Sequence, residues 1–216
     1  MNLLDGLPAL PRWTLDVHRP DLYAARALSG AAQQLTANVQ SSGDLCALLD
    51  RLAEDAREET LVHGDVRWEN CLAMRSGRRW SRLLLIDWEM ARPGDPAEDV
   101  GAFLGEYLRL WLASMPEHLA PEEARHPLVR MQPAIGAFWD AYARRRGRLA
   151  GEQGPVLRRA VRFAAVRLLA AAFEESQRHT ELQARANDAL HLARNILRRP
   201  DEAAAHLLGV QTVAWV

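Results

Sequence analysis

Lysine is absent from this sequence of 216 residues, so all 27 residues counted as lysine or arginine are arginines. No lysine ammonium is therefore available to bind a phosphate group. Cysteine is almost as rare, and Cys46 and Cys71 are too few for a disulfide framework or a zinc site. The formal net charge is only −1, which excludes a strong basic field and argues against nucleic acid as a partner.

Long apolar runs are missing as well. No segment approaches the ~20 apolar residues that a membrane-spanning helix needs. The first residues, Met1 to Gly6, lack both the basic start and the apolar stretch of a signal peptide. We therefore expect a cytoplasmic protein without a membrane partner. What the sequence does contain is 49% hydrophobic and 25% charged residues, an ordinary composition for a globular protein.

The most informative stretch, Leu61 to Met74, reads LVHGDVRWENCLAM and is followed by LLLIDWE at 83–89. Asp65 and Asn70 lie in the first stretch, and Asp87 ends the apolar run of the second. Transfer of a phosphoryl group needs a carboxylate beside the acceptor hydroxyl and oxygen ligands for Mg²⁺. These three residues offer both kinds of group, so the pattern indicates phosphotransfer.

Four motifs in this region occur in an order that resembles the aminoglycoside phosphotransferase family and its choline-kinase-like relatives. They are the His-Gly-Asp at 63–65, Asn70, the Asp-Trp-Glu at 87–89 and the Gly-Asp-Pro-Ala-Glu-Asp at 94–99. A lone His-Gly-Asp would be weak, whereas agreement in order, spacing and context is specific. The resemblance implies a protein-kinase-like fold.

The resemblance also implies a role for each residue. Asp65 is the expected base, Asn70 and Asp87 hold Mg²⁺ and with it ATP (or GTP), and Asp99 supports the catalytic loop. The expected reaction transfers the γ-phosphoryl group to a hydroxyl of a small molecule or of a peptide serine or threonine. The alternative is a catalytically inactive, kinase-like binding module that recognises a substrate or a partner enzyme.

His63 and Arg67 complete the predicted catalytic set. His63 either orients the loop by hydrogen bonding to the backbone or acts as a general base, and the first role is expected because Asp65 already fills the second. Arg67 either binds the transferring phosphate through its guanidinium or is a solvated loop arginine. Trp68 and Trp88 either stack on the substrate or wedge the loop in place.

The acceptor of such a family member lies between the catalytic loop and the later helices. Glu106 and Asp140 are weak candidates for contacts with it. The plainer interpretation makes both of them solvated charges on helix surfaces.

A complete kinase-like fold also has a smaller lobe with a glycine-rich loop and a phosphate-binding lysine. Here Gly6, Gly30 and Gly43 are isolated, and lysine is absent. The sequence therefore resembles the large C-terminal lobe alone. Three explanations remain open: the chain is a fragment, a separate chain completes the nucleotide lobe, or catalysis has been lost.

The predicted fold is mainly α with a small β-hairpin. Strands at Leu72–Met74 and Leu83–Ile86 flank a turn at 75–78. Helical spacing recurs from Leu45, Val100, Pro133 and Val156, and a last helix pair is broken at Pro200. The predicted organisation is an irregular or helical segment 1–42 and a C-lobe 43–216, divided into catalytic loop 61–74, metal segment 83–99 and helical substrate subdomain 100–216.

Overall fold

The computed structural model describes residues 15–19, 28–115, 121–146 and 153–210, with the backbone alone for 121–126. About half of the predicted segment 1–42 lies outside these residues, and its described end is helical. The part of the chain that the structure describes is mainly helical, as predicted. Its helices are α1 (Gly30–Ser41), α2 (Gly43–Asp55), α3 (Pro96–Ser114), α4 (Pro121–Arg146), α5 (Gln153–Ser176), α6 (Ala184–Arg198) and α7 (Pro200–His206).

Four short strands form two antiparallel pairs. The predicted hairpin is confirmed and consists of β2 (Cys71–Ser76) and β3 (Arg79–Leu85), with Cys71 opposite Leu85. A second pair, which the sequence pattern does not indicate, joins β1 (Thr60–Val62) to β4 (Arg92–Gly94). Strands of three residues are too short to show an alternating pattern. This second pair brackets the hairpin and fixes both ends of the segment that carries the predicted catalytic residues.

The hairpin exposes its apolar side chains to solvent. Trp80 is 67% exposed and Leu83 62%, while Leu72 and Met74 on the partner strand are each 48% exposed. Because successive side chains of a strand point to opposite faces, neither face of the hairpin is buried by the rest of the described chain. Exposed apolar clusters of this kind mark interaction surfaces.

Helices α3 and α5 form the centre of the core. Helix α3 begins with a capping box, in which Asp95 and Glu98 bond each other's backbone N–H groups. The two helices approach closely at Gly101, where an added Cβ would lie 2.4 Å from the carbonyl oxygen of Ala160. The fully buried side chains include Leu45, Leu49, Leu52, Leu104, Ile135, Leu157 and Ile196.

Helix α4 corrects the predicted boundary at Pro133. It begins at Pro121 and continues through both Pro127 and Pro133. Proline favours the first helical turn because it lacks an N–H donor, which is why Pro133 looked like a start. Ile135 and Trp139 of this helix are buried. Among the helices described, none is both long and apolar enough to cross a membrane.

Candidate active site

The loop between β1 and β2 makes a turn that only glycine fits at position 64. Gly64 has φ +80°, and a Cβ there would lie 2.5 Å from the carbonyl oxygen of Met90. Left-handed backbone of this kind is readily adopted by glycine. The glycine between His63 and Asp65 therefore lets the loop pack directly against the backbone that follows Asp87.

His63 is fully buried and holds the loop to the end of the hairpin. Its Nδ1 accepts the backbone N–H of Asp65 at 3.3 Å, so its Nε2 carries the proton and donates to the carbonyl oxygen of Ile86 at 2.9 Å. The ring also meets Trp88 edge-on at 4.7 Å. Since both ring nitrogens are occupied by backbone, His63 is an orienting residue and has no nitrogen left for proton transfer.

Asp65 and Asn70 are joined by their side chains. Asn70 Nδ2 donates to the Asp65 carboxylate at 2.9 Å and to the Asp65 carbonyl oxygen at 3.0 Å. These two bonds use both amide protons, so the Asn70 oxygen points away from Asp65. No donor from the described residues reaches that oxygen. The bonds also fix the direction of the Asp65 carboxylate, whose second oxygen stays available.

Asp87 adopts a strained backbone conformation beside this pair. Its angles are φ 67° and ψ 63°, and it is the one non-glycine residue with positive φ in the described part of the chain. The N–H of Ile86 donates to the carbonyl oxygen of Asn70 at 2.9 Å, which brings the two segments side by side. The Asp87 side chain is exposed. Strain of this kind in a non-glycine residue is typical of functional positions.

Asp99, near the start of α3, holds the first residues of the loop. Its carboxylate accepts the backbone N–H of His63 at 2.7 Å and that of Gly64 at 3.1 Å. Burial raises the pKa of Asp99, and the two N–H donors offset part of that rise. The geometry is that of a support for the loop, in keeping with the role that the resemblance implies.

Arg67 is held by two carboxylates and is not a solvated loop arginine. Its Nε lies 3.2 Å from Glu69 and its Nη2 lies 3.3 Å from Glu174 on α5, with 28% of the side chain exposed. Burial disfavours its charge, but the carboxylates of Glu174 and Glu69 outweigh burial and raise the pKa of Arg67. A phosphate could therefore reach this guanidinium only in competition with these carboxylates.

The two tryptophans occupy different environments. Trp68 packs edge-on against Phe103 at 5.0 Å and Tyr107 at 5.1 Å, so it wedges the loop against α3. Trp88 is 50% exposed beside the site, and its indole N–H donates to the carbonyl oxygen of Leu85. Trp68 is only partly exposed, so of the two Trp88 presents the larger ring surface on which a ligand could stack.

Glu106 and Asp140 differ just as clearly. Asp140 is an exposed residue of α4, consistent with a solvated charge. Glu106 is fully buried, which corrects the expectation of a solvated or substrate-facing carboxylate. Arg109 and Arg167 both bond its side chain, and it accepts the backbone N–H of Trp68 at 3.3 Å. Neither arginine was predicted as a site residue, although Arg167 interrupts an apolar run of α5.

With this geometry established, a comparison with protein families decides the assignment. A family model described as the phosphotransferase enzyme family matches residues 2–126. The chain belongs to this family. The match covers more than half of the phosphotransferase chain and includes His63, Asp65, Asn70, Asp87 and Asp99. No curated protein matches this phosphotransferase.

Proposed function

We propose that this phosphotransferase moves the γ-phosphoryl group of ATP to a hydroxyl group in a Mg²⁺-dependent reaction. The acceptor is a small molecule or a peptide serine or threonine. The observation that carries the proposal is the junction at Asn70: its amide binds the Asp65 carboxylate, and its backbone binds the residue before Asp87. One residue thus links the expected base to the expected metal ligand.

The residues at this junction fit Mg²⁺. Asn70 offers an amide oxygen and Asp87 an exposed carboxylate, and hard oxygen ligands are those that Mg²⁺ prefers. No cluster of three or more His, Cys, Asp or Glu residues suited to a metal occurs in the described ranges. Mg²⁺ at phosphotransfer sites is commonly held by one or two protein groups together with substrate phosphates. When bound, the ion would neutralise charge on the transferred phosphoryl group.

Asp65 would orient the acceptor hydroxyl and take its proton. Its carboxylate is fixed through one oxygen by Asn70, which leaves the other oxygen for the acceptor. His63 does not compete for this role because both of its nitrogens are bound to backbone. Arg67 would approach the phosphate by exchanging one of its carboxylate partners for it.

The missing nucleotide contacts would come from a partner lobe. The chain has no lysine, and charge-assisted phosphate contacts contribute roughly 1.5–3 kcal/mol each. We propose that a nucleotide-binding lobe, supplied by a separate chain or by sequence beyond these residues, covers the exposed apolar side chains of the β2–β3 hairpin. This hairpin leads directly to Asp87, so such a lobe would close over the metal ligands. An ATP-dependent reaction of this kind would take place in the cytoplasm.

The test is a thermal-melting titration with Mg·ATP. In wild type we expect a saturable shift, equivalent to about 2.7 kcal/mol at 100-fold over Kd. Asp87→Ala should lose the Mg²⁺-dependent part of that shift, whereas Asp188→Ala, at an exposed position of α6, should keep it. Asp65→Asn should bind Mg·ATP and fold normally but lower phosphotransfer by about 10²-fold or more.

Three results would count against the proposal. Equal shifts in wild type and Asp87→Ala would remove Asp87 from the metal site. Normal turnover by Asp65→Asn would remove Asp65 from the mechanism. If Mg·ATP produced no shift and no phosphotransfer even with a nucleotide lobe present, the chain would instead be a non-catalytic binding module.

A further inference from the structure

Six charged side chains form a closed ring between the catalytic loop, α3 and α5. We name it the charge ring, and arginines and glutamates alternate around it. Its contacts are Arg67–Glu69 at 3.2 Å, Glu69–Arg109 at 3.6 Å, Arg109–Glu106 at 2.9 Å, Glu106–Arg167 at 2.9 Å, Arg167–Glu174 at 3.1 Å and Glu174–Arg67 at 3.3 Å. The three positive and three negative charges cancel.

The ring has a buried end and an open end. The side chain of Glu106 is 1% exposed and that of Arg167 is 9% exposed. On the open side, Arg67 is 28% and Glu69 57% exposed. A buried carboxylate is stable only when it is paired and hydrogen-bonded, and here Glu106 accepts four hydrogen bonds. Glu106 is therefore the anchor of the ring.

Two carboxylates of helix α3 hold the catalytic loop by accepting its backbone N–H groups. Asp99 accepts the N–H groups of His63 and Gly64, before Asp65, and Glu106 accepts the N–H of Trp68, after it. The two carboxylates are about two helical turns apart and so lie on the same face of α3. Asp65 therefore lies between two loop segments that are each hydrogen-bonded to α3.

We propose that Glu106 is a positioning residue of this phosphotransferase. Its side chain is 1% exposed, so it is not placed to touch an acceptor or a phosphate. It fixes Asp65 by accepting the backbone N–H of Trp68. It also orients Arg67, which lies opposite Glu106 in the charge ring and is connected to it by two paths, one through Glu69 and Arg109 and one through Glu174 and Arg167. The proposal rests on the proposed function, because it assigns Glu106 a part in that reaction.

The charge of Glu106 is what balances the ring. Without it, three guanidinium groups face two carboxylates. Arg109 and Arg167 then draw Glu69 and Glu174 towards themselves, and Arg67 loses part of its hold on both. Electrostatic coupling of this kind is strong where one end of a network is shielded from water.

The test variant is Glu106→Gln in the full chain, labelled with ¹⁵N. The single oxygen of glutamine should take the place of Oε1, where Arg109 Nε and Arg167 Nε both donate, so its NH₂ group faces the N–H of Trp68. Amide hydrogen exchange at Trp68 should then be at least tenfold faster, while exchange at His63 and Gly64 changes less than twofold. The Arg67 Nε–H resonance should shift.

In the phosphotransfer assay, Glu106→Gln should lower kcat at least tenfold with the KM for the acceptor unchanged. Unchanged exchange at Trp68 would overturn the proposal, and so would equal acceleration along all of α3, since that would show a merely structural role. The exchange result does not depend on turnover. If wild type showed no phosphotransfer, the proposed function would fail. The exchange data would still show whether Glu106 holds the backbone N–H of Trp68.

A second variant keeps the test available if Glu106→Gln does not fold. Glu174→Gln removes the charge that pairs with Arg67 and Arg167, at a residue whose side chain is 33% exposed. Its matched control is Glu175→Gln, because Glu175 pairs with Arg178 and His179 near the end of its own helix. We expect Glu174→Gln to shift the Arg67 resonance and lower kcat at least threefold, and Glu175→Gln to do neither. Identical Arg67 resonances in the two variants would refute the coupling.

Discussion

Replacing Asp99 with asparagine removes one of the two acceptors that hold the start of the catalytic loop. The carboxylate accepts N–H groups from His63 and Gly64, but asparagine offers one oxygen and turns an NH₂ group towards the other donor. Loss of a charge-assisted bond to a buried N–H costs roughly 1.5–3 kcal/mol. Removing a charge that burial disfavours offsets part of this loss. We expect a net loss of about 2 kcal/mol at neutral pH, or roughly 4–8 °C in Tm for a chain of this size.

The pH dependence of this loss has a definite sign. Burial raises the pKa of Asp99 above its ordinary value of 3.8, so the folded state binds the proton more tightly than the unfolded state. The contribution of Asp99 to stability is therefore fully present below pH 3.8 and declines as pH rises through the folded pKa. Asparagine does not titrate. The stability deficit of Asp99→Asn should accordingly be larger at acidic pH than at pH 7.

Urea unfolding followed by tryptophan fluorescence, between about pH 4 and pH 7, measures both effects. Asp188→Asn, at an exposed position of α6, is the control and should match wild type throughout. Wild-type stability in Asp99→Asn would show that the two hydrogen bonds contribute nothing. A deficit that grew with pH would show that hydrogen bonding, rather than burial, determines the pKa of Asp99.

Two further predictions concern the scaffold. Gly101→Ala should lower the free energy of unfolding by about 1–3 kcal/mol, because its Cβ would lie 2.4 Å from the carbonyl oxygen of Ala160. Gly136→Ala, which meets no atom within 4 Å, is the control and should be neutral or stabilising; equal urea midpoints would refute the close approach of α3 and α5. Hydrogen bonds from Arg194 hold the pKa of Asp44 well below its usual range, so the stability from this pair is present above pH 3.8 and is lost as pH falls. Asp44→Asn should thus be less stable than wild type at pH 7, and the deficit should shrink as pH falls from 3.8 towards 2; a deficit of the same size at pH 7 and pH 2 would contradict this.

Local sequence patterns predicted most of the fold. The hairpin was found because two apolar runs flank a turn at 75–78, and the helices were found from their 3.6-residue spacing. The start of α4 was misplaced because proline is both a common first residue and, as at Pro127 and Pro133, tolerated inside a long helix. Strands β1 and β4 are far apart in sequence, so no local sequence pattern indicates that they pair.

The site was predictable where its chemistry lies within one loop. Asp65 and Asn70 belong to a motif whose spacing already indicates a shared role, and the structure joins their side chains. The charge ring was not predictable, because each of its arginines could pair with many carboxylates and only packing selects among them. Glu106 shows the difficulty best: its helical position suggested a solvated charge, yet it is fully buried.

Hydrogen bonds fix the backbone of Ile86, the residue that precedes the strained Asp87. Both polar groups of Ile86 are bound, its N–H by Asn70 and its carbonyl by His63, so movement of the Asp87 carboxylate is confined to the dihedral angles of residue 87 onward. Left-handed backbone costs a non-glycine residue about 1–2 kcal/mol. On the proposed assignment of Mg²⁺ to Asp87, relaxation of this backbone in the absence of the ion would lower the apparent affinity for Mg²⁺ by about tenfold. The backbone energy of a single residue would then set part of the affinity of the site for its ion.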